Sequence, residues 1–189
     1  MSEDSRRSEQ SRVVRFEEIA LPHLGAAYNL ARWLLHNNHN AEDLVQDAFL
    51  RAFKSFSGYH GGNSRAWLLT IVRNTCYTWL QKNRVLHATE PLDDNLDELG
   101  LDFADPEMLL LQSVDAQIVR QALSELPVEF REVVVLREME GFAYKEIADV
   151  IDLPLGTVMS RLARGRKRLH ALLAQRMGKG ASIELSANA

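Results

Sequence analysis

The chain has 189 residues, one cysteine and a formal net charge of −4, which leaves room for one ordinary domain or two small ones. A single cysteine excludes an internal disulfide and a cysteine-rich zinc site. No stretch approaches the ~20 apolar residues that span a bilayer, and the polar N-terminus lacks the apolar core of a secretory signal, so we expect a cytoplasmic protein without membrane insertion.

The charge is distributed unevenly along the chain. Residues 48–89 carry six cations and no acid, residues 86–108 carry eight acids and no cation, and residues 153–169 carry five cations and no acid. This alternation predicts two anion-binding surfaces separated by an acidic spacer. The alternative is that each basic run is only a solvated helix face.

Apolar residues recur at helical spacing nearly throughout, and no strand pattern of any length is present. In the first half of the chain the pattern predicts one helix over about 16–35, a second helix capped by Asn40, and a third capped by Ser64 that continues to about residue 84. A loop rich in glycine and asparagine, residues 57–63, separates the last two.

The acidic segment over about 85–106 has weak periodicity and contains proline and glycine, so we expect a flexible linker there. Beyond it the pattern predicts four further helices, over about 107–123, 128–139, 144–151 and 155–175. Gly141 ends the second of these in the left-handed backbone conformation that glycine adopts without strain.

The predicted fold class is therefore all-α, with two small helical domains joined by an acidic flexible linker. The predicted boundaries are a disordered N-terminus over 1–13, a first domain over 14–84, the linker over 85–106, a second domain over 107–176 and a disordered tail over 177–189.

The last two predicted helices have the pattern of a helix-turn-helix. Ile147 and Ile151 face inward on the first of them, and Val158 and Leu162 belong to the buried stripe of the second. The opposite ridge of the second helix carries the hydroxyls and cations that a helix in the DNA major groove requires, namely Thr157, Ser160, Arg161, Arg164 and Lys167. The alternative is an ordinary helical hairpin with a solvated basic face.

Longer runs of the sequence resemble a known family. Four stretches in the second half of the chain closely resemble the fourth conserved region of bacterial sigma factors, in particular of the small extracytoplasmic-function (ECF) group. They are residues 122–127, 130–136, 141–148 and 156–166. The second conserved region of the same group is resembled independently: Ala41–Phe49 is similar to its polymerase-binding helix, and Trp67–Asn74 to its promoter-melting helix. Thr78 and Met159 depart from the pattern common in the family, and both lie near the expected DNA contacts.

The resemblance implies a sigma factor that gives core RNA polymerase its promoter specificity, for a stress or envelope-response regulon. It implies no catalytic residue, no cofactor and no metal site. It also implies a separate anti-sigma factor that holds the protein inactive. The residues implied to contact the polymerase are Asp43, Gln46, Asp47, Leu50 and Arg51.

Two sets of DNA-binding residues follow from the same resemblance. The minus-ten set has Tyr59, His60, Asn63 and Asn74 for bases and Arg65, Arg73, Lys82 and Arg84 for phosphates. The minus-thirty-five set has Thr157, Met159, Ser160, Ala163 and Arg164 for bases and Arg161, Arg166, Lys167 and Arg168 for phosphates.

Two other classes of function compete with this one. A stand-alone helix-turn-helix transcriptional regulator is the main alternative, although a receiver domain would need strands that residues 14–84 lack. An enzyme or a metal site is disfavoured, because His36 and His39 lie three residues apart near Glu42 without further ligands. Cys76 lies on an apolar helical stripe, so we expect a buried structural cysteine.

Overall fold

The computed structural model describes residues 3–35, 37–87 and 114–187, and all the regular structure in these ranges is helical, which confirms the all-α prediction. The α-helices are α1 (Glu3–Ala20), α2 (Leu24–Leu35), α3 (Asn38–Ser55), α4 (Ser64–His87), α5 (Val114–Ser124), α6 (Val128–Val134), α7 (Tyr144–Ile151) and α8 (Leu155–Ala187). Helices α1 to α4 belong to one compact unit, and most residues of α5 to α8 form a second.

In the first unit, α2, α3 and α4 pack around an aliphatic core. Its fully buried leucines and valine come from α2 and α4: Leu30, Leu34, Leu68, Leu69 and Val72. The inward face of α3 is lined by small side chains, Ala41, Ala48 and Ala52, which let the helices approach closely. Full burial of one leucine contributes about 1.5–3 kcal/mol, so this core stabilises the unit. Because α3 contributes to it through its inward face, the outer face of α3 stays available for other contacts.

Helix α1 docks on α3 through one phenylalanine and one arginine. Phe16 lies edge-on against three rings, at centroid distances of 6.4, 5.2 and 5.3 Å from Phe49, Phe53 and Phe56. The Arg12 guanidinium donates a 2.7 Å hydrogen bond to the Phe53 carbonyl and lies 4.7 Å from the centre of the Phe53 ring. The sequence predicts disorder over 1–13, whereas α1 begins at Glu3. The difference arises because these two contacts hold the helix against α3.

The prediction of a single helix over 16–35 is wrong. The chain leaves α1 at Ala20, forms a 3-10 turn over Leu21–His23 and resumes as α2. Pro22 explains the break, since its ring has no N–H to donate and collides with the preceding turn of an α-helix.

Asparagines cap both α3 and α4, each one to three residues before the predicted cap. The Asn37 side chain accepts a 3.0 Å hydrogen bond from the Asn40 backbone N–H, so Asn37 and not Asn40 is the cap of α3. The Asn63 side chain accepts a 3.0 Å bond from the Ala66 N–H, in the place predicted for Ser64. The predicted chemistry is correct, but several neighbouring residues can supply it.

The second unit is built around α6 and the π-helical turn Val135–Met139 that continues it. Residues 133–136 are buried. The Arg131 side chain is buried as well, and one of its nitrogens donates hydrogen bonds of 2.8 and 2.9 Å to the carbonyls of Ser124 and Leu126. These bonds satisfy carbonyls at the end of α5 that have no partner within the helix.

The connections around α7 follow the predicted chemistry. Gly141 has φ of +71° and ends the preceding segment in the left-handed conformation, as predicted. The Glu146 carboxylate accepts a 2.7 Å hydrogen bond from the Ala143 N–H, which closes the first turn of α7 as in a capping box. Asp152, with φ of 53°, makes the turn into α8.

Helix α8 continues to Ala187, beyond the predicted end near 175 and into the tail predicted to be disordered over 177–189. Glycines in that segment weaken a helix by about 1 kcal/mol each and do not break it as proline does. Most of the predicted linker, and the predicted start of the next helix at 107, lie outside the described residues.

Replacing Gly165 with alanine should destabilise the second unit by about 1–2 kcal/mol relative to Gly156→Ala, because both variants gain helix propensity and only the first is overpacked. A Cβ at this position would lie 2.9 Å from Cγ2 of Val134 and 3.3 Å from the Phe130 carbonyl oxygen, where the backbone of α6 cannot retreat. The matched control is Gly156→Ala in the same helix, because a Cβ there meets nothing within 4 Å. Urea unfolding followed by circular dichroism measures both, and equal stability of the two variants would contradict the close approach of α6 and α8.

Candidate functional site

The five residues assigned to polymerase contact share one face of α3. They recur at helical spacing opposite the alanines that line the core: Asp43, Gln46, Asp47, Leu50 and Arg51. Leu50, the apolar member of the five, is 60% exposed. Asp47 and Arg51 form an ion pair with 2.8 Å between carboxylate oxygen and guanidinium nitrogen. An apolar side chain flanked by an ordered charge pair is the pattern of a docking surface with a polar rim.

The loop before α4 is ordered by aromatic packing around Tyr59. The Tyr59 ring stacks on Phe56, with 6.0 Å between centroids and 14° between planes, and lies 4.8 Å from the half-buried Trp67 ring. Its hydroxyl donates a 3.0 Å hydrogen bond to the Gly62 carbonyl. His60, next along the loop, is exposed. The loop therefore holds the half-buried Tyr59 ring in a fixed position and leaves the His60 ring exposed, and exposed rings are what base stacking requires.

The remaining minus-ten candidates lie along α4 and at its start. Asn63 is committed to capping α4. The Arg73 guanidinium donates a 3.3 Å hydrogen bond to the Asn74 side-chain oxygen and lies 4.4 Å from the centre of the Tyr77 ring. Asn74 and Lys82 are exposed, Arg65 is half-buried, and the side chain of Arg84 lies outside the described residues.

His23 is a neighbour of this surface that the sequence analysis assigned no role. Its Nε2 is 2.9 Å from the Ser64 hydroxyl at the start of α4. Partial burial and the positive charge of Arg65 both lower the pKa of His23. The lower pKa favours the neutral imidazole, which bridges the 3-10 turn to α4 through its hydrogen bond. Because the two residues are 41 positions apart, nothing local in the sequence indicates this contact.

The base-reading candidates of α8 all lie at its N-terminal end. Val158 and Leu162 are buried as predicted, whereas Met159 and Ser160 between them are exposed. Met159 is 51% exposed, and Ser160, Ala163 and Arg164 are exposed as well. Thr157 is half-buried, and its carbonyl accepts a 3.0 Å hydrogen bond from the Ser160 hydroxyl. The ridge is thus formed by three short side chains, one methionine and Arg164, which is in no ion pair among the residues that the structure describes, and a major groove admits this shape.

Three of the four cations assigned to phosphate contact in α8 are held by the protein itself. Arg161 pairs with the buried carboxylate of Glu132 at 3.2 Å. Arg166 donates two hydrogen bonds of 2.9 and 2.6 Å to the exposed Glu138, and this carboxylate raises the pKa of Arg166 further. Arg168 lies 4.7 Å from the centre of the Phe130 ring. Lys167 is exposed, and among the residues whose side chains are described it is in no ion pair.

These pairs change what the cations of α8 can do. Arg161 is engaged by a fully buried carboxylate, so its first role is to fix α8 on α6. The Arg166 pair is half exposed on both sides, so a phosphate can compete with Glu138 for the guanidinium. No local sequence pattern separates these cases, because the partners lie 28 and 29 positions away.

Other chemistry finds little support in the part of the chain that the structure describes. No group of three or more histidines, cysteines or carboxylates there is placed to hold a metal ion. Cys76 is buried, as predicted, and burial raises the pKa of its thiol to about 12, so it stays protonated. None of the described helices is both long and apolar enough to cross a bilayer.

Two family models match the chain in succession. Residues 20–85 match sigma-70 region 2, and residues 116–169 match sigma-70 region 4. The first match contains the exposed face of α3, the aromatic loop and nearly all of α4. The second contains the ridge of α8. Each candidate surface thus falls within one of the two matched regions.

Curated relatives of the chain are ECF RNA polymerase sigma factors. The ECF RNA polymerase sigma factor SigE of Mycolicibacterium smegmatis is 34% identical over 167 residues, which cover 88% of this chain and 65% of that protein. The ECF RNA polymerase sigma-E factor of Escherichia coli K12 is 32% identical over 134 residues, which cover 67% of this chain and 70% of that protein. The chain therefore spans about two thirds of the length of these relatives.

Solved structures with a similar fold are also found. The sigma factor RpoE of Bartonella quintana, in complex with the anti-sigma factor NepR, matches with a TM-score of 0.68 and 29% identity over 85% of this chain and 97% of that one. CnrH, in complex with the cytosolic domain of CnrY, matches with a TM-score of 0.59 and 26% identity over 85% and 88%.

Proposed function

Because the chain belongs to the family of ECF RNA polymerase sigma factors, we propose that it binds core RNA polymerase and directs it to promoters in the cytoplasm. It supplies no catalytic group of its own. The observation that carries this proposal is the order of the two regions, each with its own exposed candidate surface on a separate compact unit. We further propose that the domains are 14–84 and 107–176, joined by the acidic linker 85–106, and that the regulon serves a stress or envelope response.

The polymerase contact is assigned to the outer face of α3. Leu50 provides the apolar centre, and the charged residues around it provide a rim that fixes orientation. None of the five residues on this face is needed for the core of the first unit, since the inward positions are taken by alanine and valine. This separation lets the face bind a partner without unfolding the unit.

Promoter melting is assigned to the loop after α3 and to α4. Tyr59 and His60 offer rings for an unstacked base, and Arg73 and Lys82 offer positive charge for the exposed strand. Asn63 acts through the position of α4, since its side chain caps that helix. Asn74 remains a candidate base contact on the exposed side of α4.

Minus-thirty-five recognition is assigned to the N-terminal ridge of α8. The residues assigned to base edges are Met159, Ser160, Ala163 and Arg164, which are exposed there, together with the half-buried Thr157. Lys167 is assigned to a phosphate directly. Arg166 and Arg168 contact phosphates when DNA competes with Glu138 and with the Phe130 ring for their guanidinium groups.

Arg164→Ala should change which DNA sequence is preferred, whereas Lys167→Ala should weaken all sequences alike. A base-reading arginine discriminates against the wrong base by about fivefold to a hundredfold. A phosphate contact instead reduces the slope of log affinity against log salt by about 0.9. Binding of the holoenzyme to a promoter library at several salt concentrations measures both. If the two variants weakened every sequence equally, this division of roles would be wrong.

A separate inhibitory protein is proposed as a further partner. The RpoE structure is of a sigma factor bound to an anti-sigma factor, and its fold extends over 85% of this chain. The exposed face of α3 is a surface that such a partner could cover, because an inhibitor that occupies it excludes the polymerase.

A pull-down with purified core RNA polymerase tests the proposed function against the alternative of a stand-alone regulator. The tagged chain should retain the polymerase, and the double variant Asp47→Arg, Leu50→Glu should not. If neither retained it while the chain alone bound DNA with sequence preference, the stand-alone helix-turn-helix regulator would replace the sigma assignment.

A further inference from the structure

Among the described side chains, three arginines of α8 pair with carboxylates that precede that helix, and the three pairs differ in exposure. The partner of Arg161 is fully buried. Arg176, which pairs with Glu125, is half-buried. In the third pair both side chains are open to solvent, with 48% of Arg166 and 47% of Glu138 exposed. A further charged group can therefore reach both members of this last pair.

The Glu138 carboxylate occupies the edge of the Arg166 guanidinium that a phosphate would use. Its Oε1 accepts a 2.9 Å hydrogen bond from Nε of Arg166 and a 2.6 Å hydrogen bond from Nη2. Arginine binds a phosphate through paired N–H donors of the same kind, because carboxylate and phosphate oxygens are both anionic acceptors. A phosphate can therefore use this pair of donors only after Glu138 has moved away.

A second neighbour helps to hold the guanidinium in this position. Arg166 also forms a side-chain hydrogen bond with Tyr144, the first residue of α7. Both partners raise the pKa of Arg166, and the hydrogen bond to Glu138 is the largest cause. An arginine is charged at pH 7 with or without such partners. What the two partners determine is therefore the position of the guanidinium and the number of its N–H groups that remain available.

We propose that Glu138 is an internal competitor of DNA, a carboxylate that takes the place of a backbone phosphate on Arg166 and lowers the affinity of the chain for DNA. The inference rests on the proposed contact between α8 and DNA, and it gives a role to a residue that the sequence analysis left without one. Lys167, the next residue, is exposed and in no ion pair among the described side chains. The competition therefore acts on one cation of α8 and leaves its neighbour available.

The test measures binding of a fluorescein-labelled DNA duplex of about 30 bp and mixed sequence to the full chain, because phosphate contacts do not depend on sequence. Fluorescence anisotropy gives the affinity. Glu138→Gln should tighten binding about threefold to fivefold at about 0.1 M salt, the range that the loss of an exposed ion pair allows. The slope of log affinity against log salt should steepen by up to about 0.9, because Arg166 then makes a full phosphate contact.

The matched control is Asp149→Asn, which removes the same charge from an exposed carboxylate of α7 that is not a partner of Arg166. It should tighten binding by less than about twofold, since salt screens a charge that makes no direct contact. Glu138→Gln is also measured in the Arg166→Gln background, where the carboxylate has no guanidinium to release. There its effect should fall to that of the control. Thermal unfolding verifies that all variants remain folded.

Three results would overturn the inference. One is that Glu138→Gln tightens binding no more than Asp149→Asn does, or equally with and without Arg166, which would make its effect a change of net charge alone. Another is that Glu138→Gln weakens binding, which would mean that the carboxylate orients Arg166 toward DNA. The third is that Glu138→Gln, like the wild type, does not bind the duplex at about 100 µM chain and about 0.05 M salt, because a released Arg166 would then make no phosphate contact.

Capture of core polymerase by the wild-type chain, measured on the same preparation, keeps a failure here distinct from a failure of the proposed function.

Discussion

Leu50→Glu should weaken the binding of core RNA polymerase by at least about tenfold while the first helical unit stays folded. Covering a leucine fully contributes about 1.5–3 kcal/mol, and a tenfold change corresponds to about 1.4 kcal/mol. Leu50 is 60% exposed, so most of that contribution is still available to a partner. A carboxylate at the same place would have to lose its water without gaining an opposite charge, which adds to the loss.

The matched control is Leu21→Glu, the same substitution at a leucine that is 51% exposed outside α3. Equilibrium titration of labelled chain with purified core polymerase gives the affinities, and thermal unfolding verifies that both variants remain folded. Equal losses in the two variants would mean that any added negative charge disturbs binding. An unchanged affinity for Leu50→Glu would remove α3 from the interface.

Arg161→Ala should destabilise the second unit by about 2–4 kcal/mol, although the same arginine was assigned to a phosphate from sequence. Its partner Glu132 has a side chain that is 0% exposed, while that of Arg161 is 27% exposed. Removing one member of a buried pair typically costs about 3–5 kcal/mol, because the remaining charge stays away from water without its partner. The partial exposure of Arg161 weakens the pair, so the expected loss of about 2–4 kcal/mol is somewhat smaller than that range.

Urea unfolding of the full chain measures this effect, with Arg164→Ala as the control on the same helix. Arg164 is exposed, so its removal should change stability by less than about 0.5 kcal/mol. A double-mutant cycle with Glu132→Gln isolates the pair, and a coupling of about 1–3 kcal/mol is expected. Wild-type stability of Arg161→Ala combined with a reduced salt slope for DNA would restore the phosphate role.

The local features of the fold were largely predictable from sequence. The bounds of α7, the left-handed Gly141 and the buried stripe of α8 follow from periodicity and from the conformational freedom of glycine, which involve only neighbouring residues. The caps of α3 and α4 were misplaced because several adjacent polar residues can accept the same backbone hydrogen bond. The break before α2 has a clear local signal in Pro22. The prediction of one continuous helix gave more weight to the hydrophobic periodicity than to this proline.

The features that the sequence analysis missed depend on contacts between distant residues. The partner of Arg161 lies 29 positions away, and that of His23 lies 41 positions away, so neither pairing leaves a local pattern. Helix α1 is polar over most of its length. It is held in place because Phe16 and Arg12 contact the aromatic side chains of α3. A basic stripe on a helix therefore predicts a charged face, but only the packing shows which cations are available to DNA.

Run-off transcription with purified core RNA polymerase tests the central assignment most directly. Core polymerase alone is compared with core polymerase plus the chain. The template in both cases is a library of linear DNA fragments from the genome that encodes the chain. Our account predicts discrete transcripts that start at a shared promoter sequence only when the chain is present. Identical transcripts with and without the chain, from preparations in which the chain binds DNA by itself with sequence preference, would contradict it.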